Sequence, residues 1–154
     1  NEITKEKEKK INRIIICSGK LYFELQDHIE QLQKENIFIL RLEQIYPFPY
    51  DVFSKELKRF IDCEVIWCQE EPKNMGCWIF VHGRINSILK ELHSLQDRLL
   101  FIGRRAAASP ATGVFERHLA NQKNILSLAI EADLKKIESE WDGVSLVKYK
   151  LPIE

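Results

Sequence analysis

The sequence predicts an α/β fold of three layers (αβα), with helices on both faces of a mostly parallel, open sheet of about five strands. Short β-branched apolar runs recur along the chain, and stretches with apolar residues at helical spacing separate them. The alternation occurs four times. Apolar strands joined by amphipathic helices imply a parallel sheet buried on both faces, and right-handed crossovers make it doubly wound.

Residues 1–12 form a charged lead, dominated by Glu2, Lys5, Glu6, Lys7, Glu8, Lys9 and Lys10, and no apolar stretch of signal-peptide type follows it. The missing initiator Met points to a segment of a longer chain or to a processed start. Arg13-Ile14-Ile15-Ile16-Cys17 reads as the first strand, broken by Ser18-Gly19-Lys20. Leu21, Leu25, Ile29 and Leu32 then share a helical face, and Asn36 is expected to end that helix. The second strand is expected from Ile37 to Leu42. Tyr46-Pro47-Phe48-Pro49 is an aromatic, proline-locked loop. Asp51 suits an N-cap for a short helix carrying Val52, Phe53, Leu57, Phe60 and Ile61.

Glu64 to Gln69 reads as the third strand and Glu70 to Gly76 as the loop at its carboxyl end. Trp78, Val81, Ile85, Ile88, Leu89 and Leu92 trace a helical stripe, and Leu99 to Gly103 the fourth strand. Arg104 to Gly113 is a loop of small residues. Phe115, Leu119, Leu126, Ile130, Leu134 and Ile137 mark a long last helix. The domain is expected to span 13–140, followed by a tail, 141–154, in which Val144 to Tyr149 suits an edge strand.

Composition limits function. Lys and Arg number 23 and Asp and Glu 23, a balance that gives no support to nucleic-acid or anionic-membrane partners. No stretch approaches the roughly 18–20 apolar residues of a membrane span. Cys17, Cys63, Cys68 and Cys77 lack CxxC or zinc spacing and read as reduced core thiols. His28, His82, His93 and His118 have no nucleophile close in sequence and read as surface or packing residues. Trp67, Trp78 and Trp141 read as core or interface aromatics.

In doubly wound sheets ligands collect at the carboxyl ends of the strands, so function is expected on the rim formed by the loops there. Ser18 and Lys20 lie at a helix start, where exposed amides and a lysine can hold an anion, although the spacing matches neither a phosphate-binding P-loop nor a dinucleotide fingerprint. Arg104 and Arg105, beside Ser109 and Thr112, suit bidentate recognition of phosphate or carboxylate. The equal alternatives are a solvated lysine and an arginine that pairs with Glu70 or Glu71 to lock the loops. Glu70 and Glu71 point opposite ways on an extended stretch, which disfavours an acid–base dyad.

Four stretches together resemble one family. They are Cys17 to Tyr22; Arg41 to Pro49; Trp67-Cys68-Gln69-Glu70-Glu71-Pro72-Lys73-Asn74-Met75-Gly76-Cys77-Trp78; and Ile102 to Gly113 with its Ser109-Pro110-Ala111 core. In this order and spacing, from about Arg13 to Ile130, they resemble the C-terminal domain of 2-oxoglutarate dehydrogenases. The resemblance implies a transketolase-like C-terminal domain of an enzyme that decarboxylates 2-oxoglutarate and passes the succinyl group to lipoyl arms of a second component, dihydrolipoyl succinyltransferase. It implies thiamine diphosphate and magnesium held by other domains at a homodimer interface, with no cofactor in this segment. It further implies a cytoplasmic location in a bacterium, or the mitochondrial matrix in a eukaryote. A relative acting on 2-oxoadipate has similar motifs. Arg104-Arg105 stands where Gly-Arg-Pro is usual in the family, and more than twenty residues follow Ile130. Two roles are then expected. One is an interface through Tyr46, Pro47, Phe48, Pro49, Glu70, Glu71 and Asn74. The other is a regulatory site for a nucleotide or coenzyme A phosphate at Ser18, Lys20, Arg104, Arg105 and Ser109.

Overall fold

A computed structural model of the chain describes residues 4–96 and 98–133. Its centre is a parallel sheet of β1 (Arg13–Cys17), β2 (Ile37–Arg41), β3 (Glu64–Pro72) and β4 (Leu100–Arg104), in the order β2-β1-β3-β4. Because side chains alternate across a strand, Ile14, Ile16, Val65, Trp67 and Phe101 face one layer. There they pack on α3 (Tyr50–Leu57) and α4 (Trp78–Glu91). Ile15, Cys17, Ile66, Cys68 and Ile102 face the other layer, against α2 (Leu21–Gln31) and α5 (Phe115–Glu131). The three-layer expectation therefore holds. The described residues contain four strands; the expected edge strand in the tail, Leu134, Ile137 and Trp141 lie outside them.

The lead contains a single helical turn, α1 (Lys5–Glu8), held to the body by the Arg59 pair with Glu8. Ile11 packs against the first core layer, and Asn12 accepts a backbone bond from Glu64, 2.9 Å. Arg13, 8% exposed, ties the sheet to the end of α5. Its guanidinium bonds Glu64 at 2.8 and 3.0 Å and the carbonyls of Ala129 and Ala132 at 3.2 and 2.7 Å.

β2 differs from expectation by one residue at one end and β4 by one at each end, and other boundaries differ more. Helix α2 ends at Gln31, before Asn36, because Gln33 turns into the left-handed region (φ 51°). The Lys34 amide then bonds Ile29 O and the Gln33 amide bonds Glu30 O. Helix α3 starts at Tyr50 with Pro49 in the cap position, so Asp51 lies in the first turn. Strand β3 continues through Glu70, Glu71 and Pro72, residues that read as loop. After a register shift Pro72 pairs with Arg104, and the Lys73 amide bonds Arg104 O at 2.9 Å.

The chain passes from β1 outward to β2, returns across β1 to β3, and then continues outward to β4. The direction reverses between β1 and β3, so the crevice at their carboxyl ends is the place where such a sheet presents a ligand site.

Candidate functional site

That crevice is bridged from within the protein. Lys20 Nζ, at the start of α2, lies 2.7 Å from Glu70 Oε1 on β3 and 2.8 Å from Glu24 Oε1 one turn along its own helix. The two carboxylates, Glu24 first and then Glu70, raise the Lys20 pKa above its ordinary value. The amides at the helix start are also engaged, since Gly19 N donates to the Glu43 carboxylate at 3.2 Å. Glu43 in turn accepts from Arg41 Nε at 3.0 Å, and the Arg41 guanidinium sits 4.6 Å from the centre of the Tyr22 ring. The amide at this helix start, a candidate donor to a bound anion, is engaged by a carboxylate of the same chain.

Arg104 approaches Glu70 from β4. Its Nε donates to the Glu70 carbonyl at 2.6 Å, and its terminal nitrogens donate to Pro110 O at 2.6 Å and Thr112 Oγ1 at 3.2 Å. The structure therefore brings Lys20 and Arg104 together at Glu70, one at its side chain and the other at its main chain. Ser109 bonds Ala111 O at 2.8 Å within its own loop, Ser18 offsets part of the rise that burial gives the Cys77 thiol, and Arg105 is exposed. A small cleft of about 170 Å³ remains beside these residues, lined by Glu70, Arg104, Thr112, His118, Asn121 and Gln122. Its polar lining mixes both signs of charge.

Gln69, which sequence reasoning passed over, organises the rim. It is 4% exposed and lies on the same strand face as Trp67. Its Oε1 accepts from Trp67 Nε1 at 2.8 Å and from the Trp78 amide at 3.2 Å. Its Nε2 donates to Met75 O at 2.8 Å and Pro72 O at 3.2 Å. One amide side chain thus satisfies the strand, the turn and the start of α4. Gly76 (φ 64°) is required beside it, because a Cβ there would lie 3.0 Å from the Gln69 amide atoms. Gly103 is required for space: a Cβ would meet Phe101 Cζ at 2.7 Å and Gln69 O at 2.9 Å.

Asn74 closes the assembly with a reciprocal pair, Nδ2 to Ala107 O and Ala107 N to Oδ1, both 3.0 Å. Trp78 stacks on His82 and packs on Phe101, centroids 5.0 and 4.9 Å apart. The Gln-Glu-Glu-Pro-Lys-Asn-Met-Gly-Cys-Trp stretch is thus a device that joins the β3 and β4 loops.

The remaining expected interface residues are divided. Tyr46 is 82% exposed, with its ring edge-on to Phe80 at 6.4 Å. Pro47 is exposed, and its carbonyl accepts from Gln44 Nε2 at 2.9 Å. Phe48 turns inward against Phe53, 5.6 Å, and Pro49 caps α3. Glu71 is exposed.

The thiols are poor nucleophiles. Burial pushes Cys17 up to about 12, Cys63 up to about 11 and Cys68 well above its ordinary value. Cys77, also raised by partial burial, is the least enclosed. Among the described residues no group of three His, Cys, Asp or Glu side chains is placed to hold a metal ion. No helix among them is long and apolar enough to cross a membrane. The rim carboxylates Glu43 and Glu70 are engaged within the chain by Gly19, Arg41 and Lys20.

Comparison with known proteins agrees with the four motifs. Residues 1–130 match the family model described as 2-oxoglutarate dehydrogenase C-terminal. The chain is 42% identical over 125 residues to proteins named 2-oxoglutarate dehydrogenase E1 component from Brucella anthropi, Brucella ovis and Brucella canis. The match covers 81% of this chain and 12% of those proteins, so the chain spans about an eighth of their length. Among solved structures, a split-gene transketolase described as an inactive β4 tetramer resembles it over 77% of this chain and 38% of that one. The TM-score there is 0.49 and the identity 10%. On the family match and the 42% identity, this chain belongs to the 2-oxoglutarate dehydrogenase C-terminal family.

Proposed function

We propose that this chain acts as the C-terminal docking domain of the E1 component of 2-oxoglutarate dehydrogenase. The intact enzyme, in this reading, is a cytoplasmic homodimer that decarboxylates 2-oxoglutarate oxidatively. Thiamine diphosphate and magnesium are held by residues outside this segment, and the succinyl group passes to a lipoyl arm of dihydrolipoyl succinyltransferase. The name printed for the Brucella relatives supports 2-oxoglutarate as the substrate.

The observation that carries the docking role is the internal satisfaction of the rim. Gln69, Asn74, Lys20 and Arg104 direct their polar atoms to neighbouring segments of this domain, while Tyr46, in the loop after β2, is 82% exposed. A rim fixed in this way loses little conformational entropy when another surface covers it, which favours association. Proton transfer needs a group free to exchange protons with a substrate, and nucleophilic catalysis through a cysteine needs its thiolate. The raised thiols are poorly suited to the second role, and Glu43 and Glu70, bound within the rim, to the first.

The test is direct. The 154-residue chain, given thiamine diphosphate, magnesium and 2-oxoglutarate, is expected to show no decarboxylation above a buffer control. Turnover that scales with protein concentration would show that the chemistry resides in this segment.

A further inference from the structure

Helix α5 is anchored only along its second half. Ile125, Ala129 and Ile130 are buried against α2 and the sheet, whereas every residue from 113 to 120 is exposed. The exposed part is not polar. Phe115 is 69% and Leu119 52% exposed, and they lie one turn apart on the helix surface, with Val114 immediately before them. A helix end that interacts only with water is expected to carry polar residues, and a cluster of large apolar side chains in that position marks a contact surface.

The loop leading into this helix is rigid and built of small residues. Asn74 holds Ala107 from one side, and Arg104 holds Pro110 and Thr112 from the other. Ala106, Ala107, Ala108 and Ala111 are exposed, so another backbone can approach closely. Glu116, Arg117 and His118 mix charge types beside the apolar pair, which speaks against a nucleic-acid or lipid surface.

We infer that the first two turns of α5, through Phe115 and Leu119, together with the small-residue loop before them, insert into an apolar recess of the E1 polypeptide outside this domain. The inference rests on the function proposed above and adds the element and the partner. The choice of occupant follows from length, since the Brucella relatives have 88% of their residues outside the matched segment. That is enough protein to cover a projecting helix end without a second copy of this domain.

Hydrogen exchange tests it, measured on peptides covering 113–120 in the 154-residue chain and in a full-length E1 chain carrying this domain. Exchange in the short chain is expected to be fast. In the full-length chain it should slow by about tenfold or more, as covered helix ends do. The pair Phe115→Ser and Leu119→Ser should leave melting of the short chain unchanged, because neither side chain is buried there. In the full-length chain the same pair should abolish the protection. Equal exchange in the two proteins would overturn the inference. So would protection in the short chain that grows with its concentration, because a second copy of the domain would then be the occupant. Decarboxylation by the full-length chain, assayed in parallel, separates this failure from failure of the E1 reading: an active enzyme with 113–120 unprotected refutes only the docking element.

Discussion

Replacing Gln69 by leucine should destabilise this domain more than the loss of a single polar side chain on the rim suggests. Leucine is close to glutamine in size, so little cavity is created and the effect isolates hydrogen bonding. The substitution strands the indole N–H of Trp67, a residue 0% exposed, and the amide of Trp78 at the start of α4. Each buried donor left without a partner costs about 1–3 kcal/mol, so the two together cost about 2–6 kcal/mol. The carbonyls of Met75 and Pro72 also lose their shared donor, which loosens the turn. Against a typical stability of about 5–15 kcal/mol this is a large fraction. At about 2–4 °C per kcal/mol for a chain of this size, it corresponds to a fall in Tm of roughly 4–24 °C. Thermal unfolding followed by far-ultraviolet circular dichroism measures it, and tryptophan fluorescence reports on Trp67 and Trp78 directly. A Tm within about 2 °C of the unsubstituted chain, with the same fluorescence, would refute the claim that Gln69 organises the rim.

Other substitutions probe the remaining contacts. Gly76→Ala places a Cβ against Gln69 at a positive φ and should cost about 1–3 kcal/mol by chemical denaturation, whereas Gly83→Ala, in open space on α4, should not destabilise. Arg13→Met leaves Glu64 unpaired and removes the bonds to Ala129 and Ala132 at the end of α5. A loss of about 3–5 kcal/mol is expected. Burial pushes the Glu24 carboxyl up, but hydrogen bonds from Lys20 and Gln122 outweigh it and hold the pKa below the ordinary value. A depressed folded pKa stabilises above the unfolded value and is lost as pH falls through the folded one. Glu24→Gln should therefore flatten the decline in stability between about pH 5 and pH 3. In a maleimide time course at pH 8, Cys77 should react first, and Cys17 and Cys68 only on unfolding, because burial keeps them as neutral thiols.

The sheet was legible because its determinants are local. Three consecutive isoleucines in β1 and the Val65-Ile66-Trp67-Cys68 run leave few alternatives to buried strands. Helix ends were less legible, since Gln33 and His93 adopt left-handed conformations that glycine usually announces. Glu70 to Pro72 read as a loop from composition, yet pairing with β4 draws them into the sheet, a non-local effect absent from the local pattern. At the site, the positions of the rim loops followed from strand ends and turn residues, whereas the contacts of Lys20 and Arg104 with Glu70 depend on the packing of three strands. Glu70 was visible only as one alternative partner of an arginine, and not as a partner of Lys20. Gln69 carried a signal that was available: it falls in the same alternation as Val65 and Trp67, so a buried polar side chain needing several partners was implied. Glu43 gave no comparable sign, because its bond to Gly19 joins loops that meet only in the folded sheet.

Grafting is the most direct test of the central claim. The C-terminal segment of a Brucella E1 component is replaced by this chain, and thiamine-diphosphate-dependent decarboxylation of 2-oxoglutarate is measured on the chimera, on the truncated enzyme and on this chain alone. Activity is expected in the chimera and in neither part. A chimera as inactive as the truncated enzyme, or turnover by this chain alone, would contradict that claim.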